Sequence, residues 1–182
     1  GLEELYASWN ARINLISRKD FQNFYVHHLL HSLAIAKHVQ FPEKSKIIDI
    51  GTGGGLPGIP LAICFPQSSF TLLDSTAKKL KAAQDIASSL GLGNIRCVHE
   101  RSENHSAKYD FIVGRAVSAL PRFYDNCSHL LDTDKKGGIY YLKGGDVSDE
   151  LARFPEARVH SLSDIFTESF FDTKNLIFIP TN

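Results

Sequence analysis

The stretch IIDIGTGGGLPGIPLAI, Ile47 to Ile63, passes from a short β-branched segment through a glycine loop into helix-compatible residues. This unit restricts the fold more than any other feature, because strands joined through helices build a parallel sheet with helices on its faces. FTLLD, NIRCVHE, DFIVGRA and GIYYLKG repeat the strand form, each followed by polar or helical residues. The spacing predicts helices over 58–65, 76–90 and 120–131. After Gly145 the alternation stops, and ARVHSLSDIF and KNLIFIP read as two strands, an antiparallel ending on a parallel sheet. Ahead of the first strand, Leu2, Leu5, Tyr6 and Trp9, then Phe24, His28, Leu29, Leu33 and Ala36, recur at helical spacing, with Asp20 placed to cap the second helix. The chain therefore reads as one domain over 1–182, a helical cap (1–40) ahead of an α/β core (46–182), with no repeat or linker between them.

A glycine loop between strand and helix turns backbone N–H groups toward a ligand that approaches the main chain closely. A dinucleotide fingerprint requires G-x-G-x-x-G, but counting from Gly51 and Gly53 puts Leu56 in the third glycine's place. The form present is D-x-G-x-G-x-G, through Asp49, Gly51, Gly53 and Gly55. A carboxylate such as Asp49 repels a pyrophosphate and pairs, directly or through water, with an ammonium group. S-adenosylmethionine carries that ammonium and no phosphate. Asp74, ending the second strand, is placed to accept from both ribose hydroxyls of a nucleoside.

Lys plus Arg and Asp plus Glu each number 20, so any polyanion must bind through a local patch and not through the whole-molecule field. Cys64, Cys97 and Cys127 lie in apolar segments without metal-ligand spacing, and they read as buried small hydrophobes of a reducing cytoplasm. No apolar run reaches the roughly 18 residues of a membrane span, and the first residues carry no signal-peptide stretch, so a soluble cytoplasmic protein is expected.

The segment GTGGGLPGIPLAI resembles the RsmG family, also called GidB, methyltransferases of small-subunit ribosomal RNA that act on guanine N7. WNARINLIS, HHLLHSL, LLDS, RSE, GRAVSAL and YLKG carry the resemblance in order along nearly the whole chain, and LPGIP is its most specific part. The resemblance implies a Rossmann-like class I S-adenosylmethionine-dependent methyltransferase. Its seven-stranded, mostly parallel sheet would have an antiparallel C-terminal strand and a helical N-terminal extension. It also implies cofactor contacts at Gly51, Leu56, Ser102, Glu103 and Arg115, with Asp74 on the ribose, and 16S ribosomal RNA or the small subunit as partner. The chain departs from the family's pattern at His27-His28, where many members have Arg-His, at His31-Ser32 (Asp-Ser) and at Gly114-Arg115-Ala116 (Ser-Arg-Ala).

Guanine N7 presents a lone pair and no proton, so its methylation needs no general base. The chain has GRAVSALPR where adenine amine methylation uses an Asn-Pro-Pro-Tyr type segment, and no cysteine at a strand end for cytosine carbon-5 attack. Arg115 and Lys143, at neighbouring strand ends, form an expected anion-facing rim that positions the reactants. Arg12, Asn14, His27 and His28, with Arg18, Lys19 and His31, give the N-terminal helices the character of an RNA-positioning lid, and Lys78, Lys79 and Lys81 are further phosphate candidates. The HHLLH histidines lack an acidic partner at metal-ligand spacing, so no metal is expected, and a monomer is. Two other functions remain open on these residues: a small-molecule methyltransferase, and a non-catalytic nucleotide-binding ribosome-assembly factor.

Overall fold

The computed structural model describes residues 1–181. Strands β1 (Lys46–Ile50), β2 (Ser69–Asp74), β3 (Ile95–His99), β4 (Phe111–Arg115), β5 (Gly138–Gly144), β6 (Arg158–Ser161) and β7 (Lys174–Pro180) form one sheet in the order β3-β2-β1-β4-β5-β7-β6. The first five pair in parallel, and β7 runs antiparallel between β5 and β6. The apolar run of β1 suits its central place: Ile47 and Ile48 are fully buried, as a strand covered on both faces requires. Strand order reverses beside β1, whose neighbours are β2 and β4, and this reversal opens a crevice at the carboxyl ends.

The helices are α1 (Leu2–Asn10), α2 (His31–His38), α3 (Gly58–Cys64), α4 (Ala77–Ser89), α5 (Leu120–Cys127) and α6 (Ser148–Leu151). The three helices expected between strands are present with trimmed ends; α5 stops at Cys127 and a 3-10 turn, Ser128–Leu130, takes the chain onward. The sixth strand is shorter than its pattern because Leu162 turns inward and is buried, starting a 3-10 turn at Leu162–Asp164. The four residues of α6 carry no recognisable periodicity.

The N-terminal segment differs most from its reading. A 3-10 turn, Phe21–Asn23, leads into π-helical winding over Phe24–Leu30 before α2 begins. Asp20 makes no side-chain cap hydrogen bond. Tyr6 and Phe24 are fully buried in one cluster with Leu56, Ile59, Leu72, Leu80 and Ile86, so this segment shares the core of the sheet's helical layer. The three cysteines are free; Cys127 is buried, whereas Cys97 is half-buried and Cys64 exposed, which corrects the expectation for the latter two.

Candidate cofactor cleft and its backing network

A cleft of about 480 Å³ opens at the carboxyl ends of β1 and β2, lined by Gly51, Asp74, Glu100, Ser102, Glu103 and Val117 among others. A larger cavity of about 540 Å³ lies at the opposite end of the sheet, against Lys46, Arg96 and Lys108, and contains none of the residues singled out above.

The glycine loop is fastened on several sides. Gly51, Gly53 and Gly55 have φ of 66°, 57° and 94°, a region in which a side chain is strained. Gly58 is bare for a different reason: a Cβ there would stand 2.2 Å from Leu72 Cδ2 and 2.8 Å from Asp49 Oδ2. From the sheet side, Asp49 Oδ2 accepts from Thr52 Oγ1 at 2.6 Å and Gly58 N at 2.8 Å. Asp74 Oδ2 accepts from Gly53 N at 2.8 Å, and its Oδ1 accepts from Thr76 N at 2.7 Å. Each Asp74 oxygen keeps a lone pair for a further donor.

Asp49 is fully buried, and that burial pushes its carboxyl up to about 7 against the hydrogen bonds from Thr52 and Gly58 and the charge of Arg115. Its Oδ1 is buried without a partner among the described residues. Asp49 thus lies beneath the loop and not beside the cleft, with one carboxylate oxygen left unpaired among the described residues.

Ser102 and Glu103 sit on a 3-10 turn at the cleft wall, Ser102 buried with its hydroxyl donating to Glu103 Oε2 at 3.0 Å. Hydrogen bonds from its own backbone and from Ser102 outweigh the slight burial and hold the Glu103 carboxyl below its ordinary range. Glu100 joins the same wall, and His105 bridges its Oε2 at 2.8 Å to the Tyr109 hydroxyl at 2.9 Å. Spacing alone carries no signal for Glu100, because its partner is set by a loop that follows the strand.

A family model described as rRNA small subunit methyltransferase G matches residues 2–177. The chain belongs to that family. It is 48% identical to the ribosomal RNA small subunit methyltransferase G of Christiangramia forsetii, covering 98% of this chain and 87% of that one. With the enzyme of the same name from Bacteroides thetaiotaomicron it shares 46% identity over 97% of this chain and 88% of the other. Among solved structures, a SAM-dependent O-methyltransferase from Thermotoga maritima superposes with a TM-score of 0.68 at 17% identity, covering 100% of this chain and 71% of that one. A SAM-dependent methyltransferase from Aquifex aeolicus gives 0.63 at 13% identity, with 83% and 89% covered. Both share the Rossmann-like methyltransferase fold expected from the sequence.

Within the chain, the expected site residues divide. Gly51, Asp74, Ser102 and Glu103 line the cleft, and Gly53 touches it through Asp74. Gly55 and Leu56 do not: Gly55 is pressed against Ile59, and the Leu56 side chain is buried in the core cluster. Arg115 is also turned away from the expected rim. Its Nη1 donates to the His27 carbonyl at 3.1 Å and to His28 Nδ1 at 3.2 Å, placing the guanidinium between the sheet and the N-terminal segment. Ala116, at φ 51°, then reverses the backbone and delivers Val117 against Gly51.

Lys143 is not a free cation either. It pairs with Glu150, whose other oxygen accepts the Leu120 N–H at 2.5 Å, so the lysine ties β5 to α5 and α6. His27 and His28 bind opposite oxygens of Asp20, at 2.5 and 2.8 Å, so both rings are engaged within the N-terminal segment. With Nε2–H of His28 donating to Asp20, Nδ1 is left to accept from Arg115. Burial and the charge of Arg115 lower the His28 pKa despite Asp20, so the ring is neutral at pH 7. Arg12 is exposed over the Trp9 ring at 5.5 Å, and Asn14 is exposed.

The departures from the family pattern have structural reasons at two positions. A Cβ at Gly114 would stand 2.6 Å from Phe123, which stacks on Tyr141 at 4.3 Å, so that aromatic pair occupies the space a serine would need. His31 is buried beside Phe170 and Phe171 with Nε2 unpartnered among the described residues, and burial lowers its pKa to about 3. His31 is therefore a neutral core ring. Among the described residues no group of three His, Cys, Asp or Glu side chains is arranged for a metal ion, and no helix is long and apolar enough to cross a membrane.

Proposed function

We propose that this chain transfers a methyl group from S-adenosylmethionine to N7 of one guanine in the 16S RNA of the small ribosomal subunit. The observation that carries the reading is the cleft at the β1/β4 reversal, where the bare backbone of Gly51 faces the carboxylates of Asp74, Glu100 and Glu103 in a chain of the rRNA small subunit methyltransferase G family. Those carboxylates suit a cationic nucleoside. The lone pairs left on Asp74 would take the ribose hydroxyls, and Ser102 with Glu103 would meet the adenine end.

The buried, unpartnered Asp49 Oδ1 supports the fit, since a water beneath the loop, linking it to a ligand ammonium, would complete that oxygen. When bound, S-adenosylmethionine supplies a methyl on a sulfonium; the N7 lone pair forms the new C–N bond as the C–S pair returns to sulfur. Because N7 has no proton to lose, the chain needs no general base, and its residues act by positioning. Arg115 balances the charge of Asp49 behind the loop and holds the His27–His28 turn. For RNA, the exposed Arg12, Arg101 and Arg122 have no carboxylate within ion-pair distance among the described residues, unlike Lys143. Asn14 is exposed beside Arg12 and available to the same strand.

The deciding experiment transfers labelled methyl from S-adenosylmethionine to small ribosomal subunits lacking the modification, then maps N7-methylguanine by chemical cleavage. Label at one guanine is expected; cofactor binding without label on any ribosomal RNA would overturn the acceptor and return the small-molecule reading.

A further inference from the structure

Tyr6 was visible in the sequence only as one apolar position of a helix, yet it reaches the glycine loop. Fully buried, its hydroxyl donates to the Gly54 carbonyl at 2.9 Å, 48 residues further along the chain. A Cβ on Gly54 would stand 3.4 Å from the Tyr6 ring and 3.3 Å from both Leu15 methyls, so the two side chains bear directly on the loop backbone. Leu15 is itself held in place: Asn10, closing α1, accepts the N–H groups of Leu15 and Ile16, each at 2.9 Å. The Tyr6 ring is backed by Phe24 at 5.0 Å. Two peptides earlier in the loop, Gly53 N–H is taken by Asp74.

We propose that Tyr6 is a positioning residue of the cofactor site, its hydroxyl holding the Gly54 carbonyl, and through it the Gly51–Gly53 backbone, in the conformation that receives S-adenosylmethionine. This rests on the cofactor reading of the cleft given above. Three loop glycines have positive φ and no side chain of their own to resist rearrangement, so the loop's shape has to be imposed by its neighbours. Without the phenol, a buried carbonyl is left unpaired, and turning it toward water relieves the cost at the expense of the binding conformation. Burial raises the phenol's pKa, which keeps it a donor across the working pH range. Docking of α1 and cofactor occupancy are then linked, each favouring the other equally.

Tyr6→Phe tests this while keeping the ring against Phe24 and Leu15. In calorimetric titrations of the full chain with S-adenosylmethionine and S-adenosylhomocysteine, Kd is expected to rise about tenfold for both, about 1.4 kcal/mol. The kcat at saturating cofactor should stay within about twofold of wild type, and amide exchange should rise at 53–56 and not in β3. An unchanged Kd beside a lowered melting temperature would make Tyr6 merely structural and overturn the proposal. Should circular dichroism show Tyr6→Phe unfolded, Gly54→Ala, whose methyl presses on Tyr6 and Leu15, carries the same titration, and unchanged affinity there overturns it too. A wild-type chain that binds neither compound would remove the cofactor reading itself, a result distinct from equal binding by wild type and variant.

Discussion

The two sides of the glycine loop satisfy their charges in contrasting ways. On the sheet side, Asp49 and Asp74 are bonded mostly to backbone N–H groups of the loop and of the residues just after each strand. On the N-terminal side, Asp20 is taken up by the side chains of His27 and His28, and Arg115 reaches back 87 residues to His28. Backbone donors leave a carboxylate with spare lone pairs for a ligand, whereas side chains bonded to one another occupy each other's polar atoms. On the reading proposed above, the loop side receives the ligand and the N-terminal side holds that loop in place.

The contrast is most exposed to test at Asp74. Asp74→Ala removes the acceptor for Gly53 and Thr76 together with the proposed ribose contact, and cofactor Kd should rise on the order of 100-fold by calorimetry. A rise under about threefold would move the ligand away from this carboxylate and dissolve the distinction between the two sides.

Gly58→Ala should cost about 2–3 kcal/mol in urea unfolding, because the new methyl meets both Leu72 and the Asp49 oxygen that fastens the loop. Little loss would mean that the loop is less firmly seated than these contacts require.

The pH dependence sharpens the same comparison. Asp49 keeps its proton in the folded chain up to about 7 against an ordinary 3.8, so its contribution is lost as pH rises through that window. His31 stays neutral down to about 3 against an ordinary 6.5, so its contribution is lost as pH falls through that range. Between about pH 4 and 6.5 the two slopes oppose and the wild type should be nearly flat. Asp49→Asn is expected to leave stability rising with pH by up to about 1.4 kcal/mol per unit, and His31→Gln to leave it falling. Parallel profiles for the two variants would show that the orphaned pair does not titrate as described.

The smallest effect is expected at Lys143. Lys143→Ala should lose roughly 1 kcal/mol by unpairing Glu150, while leaving the salt slope of RNA binding unchanged. A slope reduced by about one unit would restore Lys143 as a phosphate contact.

The proposed cofactor residues close to the loop were legible because their positions follow from backbone geometry: Gly51 and Asp74 sit where a strand ends and a turn begins, whatever the rest of the chain does. Ser102 and Glu103 came from family resemblance, and a 3-10 turn seats them at the cleft wall. The surroundings of Leu56 and Lys143 were not legible, because burial in a core cluster and pairing with a glutamate on a four-residue helix depend on segments with no periodic signal. HHLLH read as a basic surface because the partner that bonds two of its rings, Asp20, had been given the different task of capping a helix.

By itself the sequence determined the alternation of strand and helix, the antiparallel ending and the glycine loop, since these rest on periodicity, β-branching and positive φ, all local properties. Only the tertiary structure decided which charges stay free. A side chain's availability depends on what the fold brings within about 3 Å of it, and Tyr6, Asp20, Arg115 and Lys143 all find partners that no spacing along the chain announces.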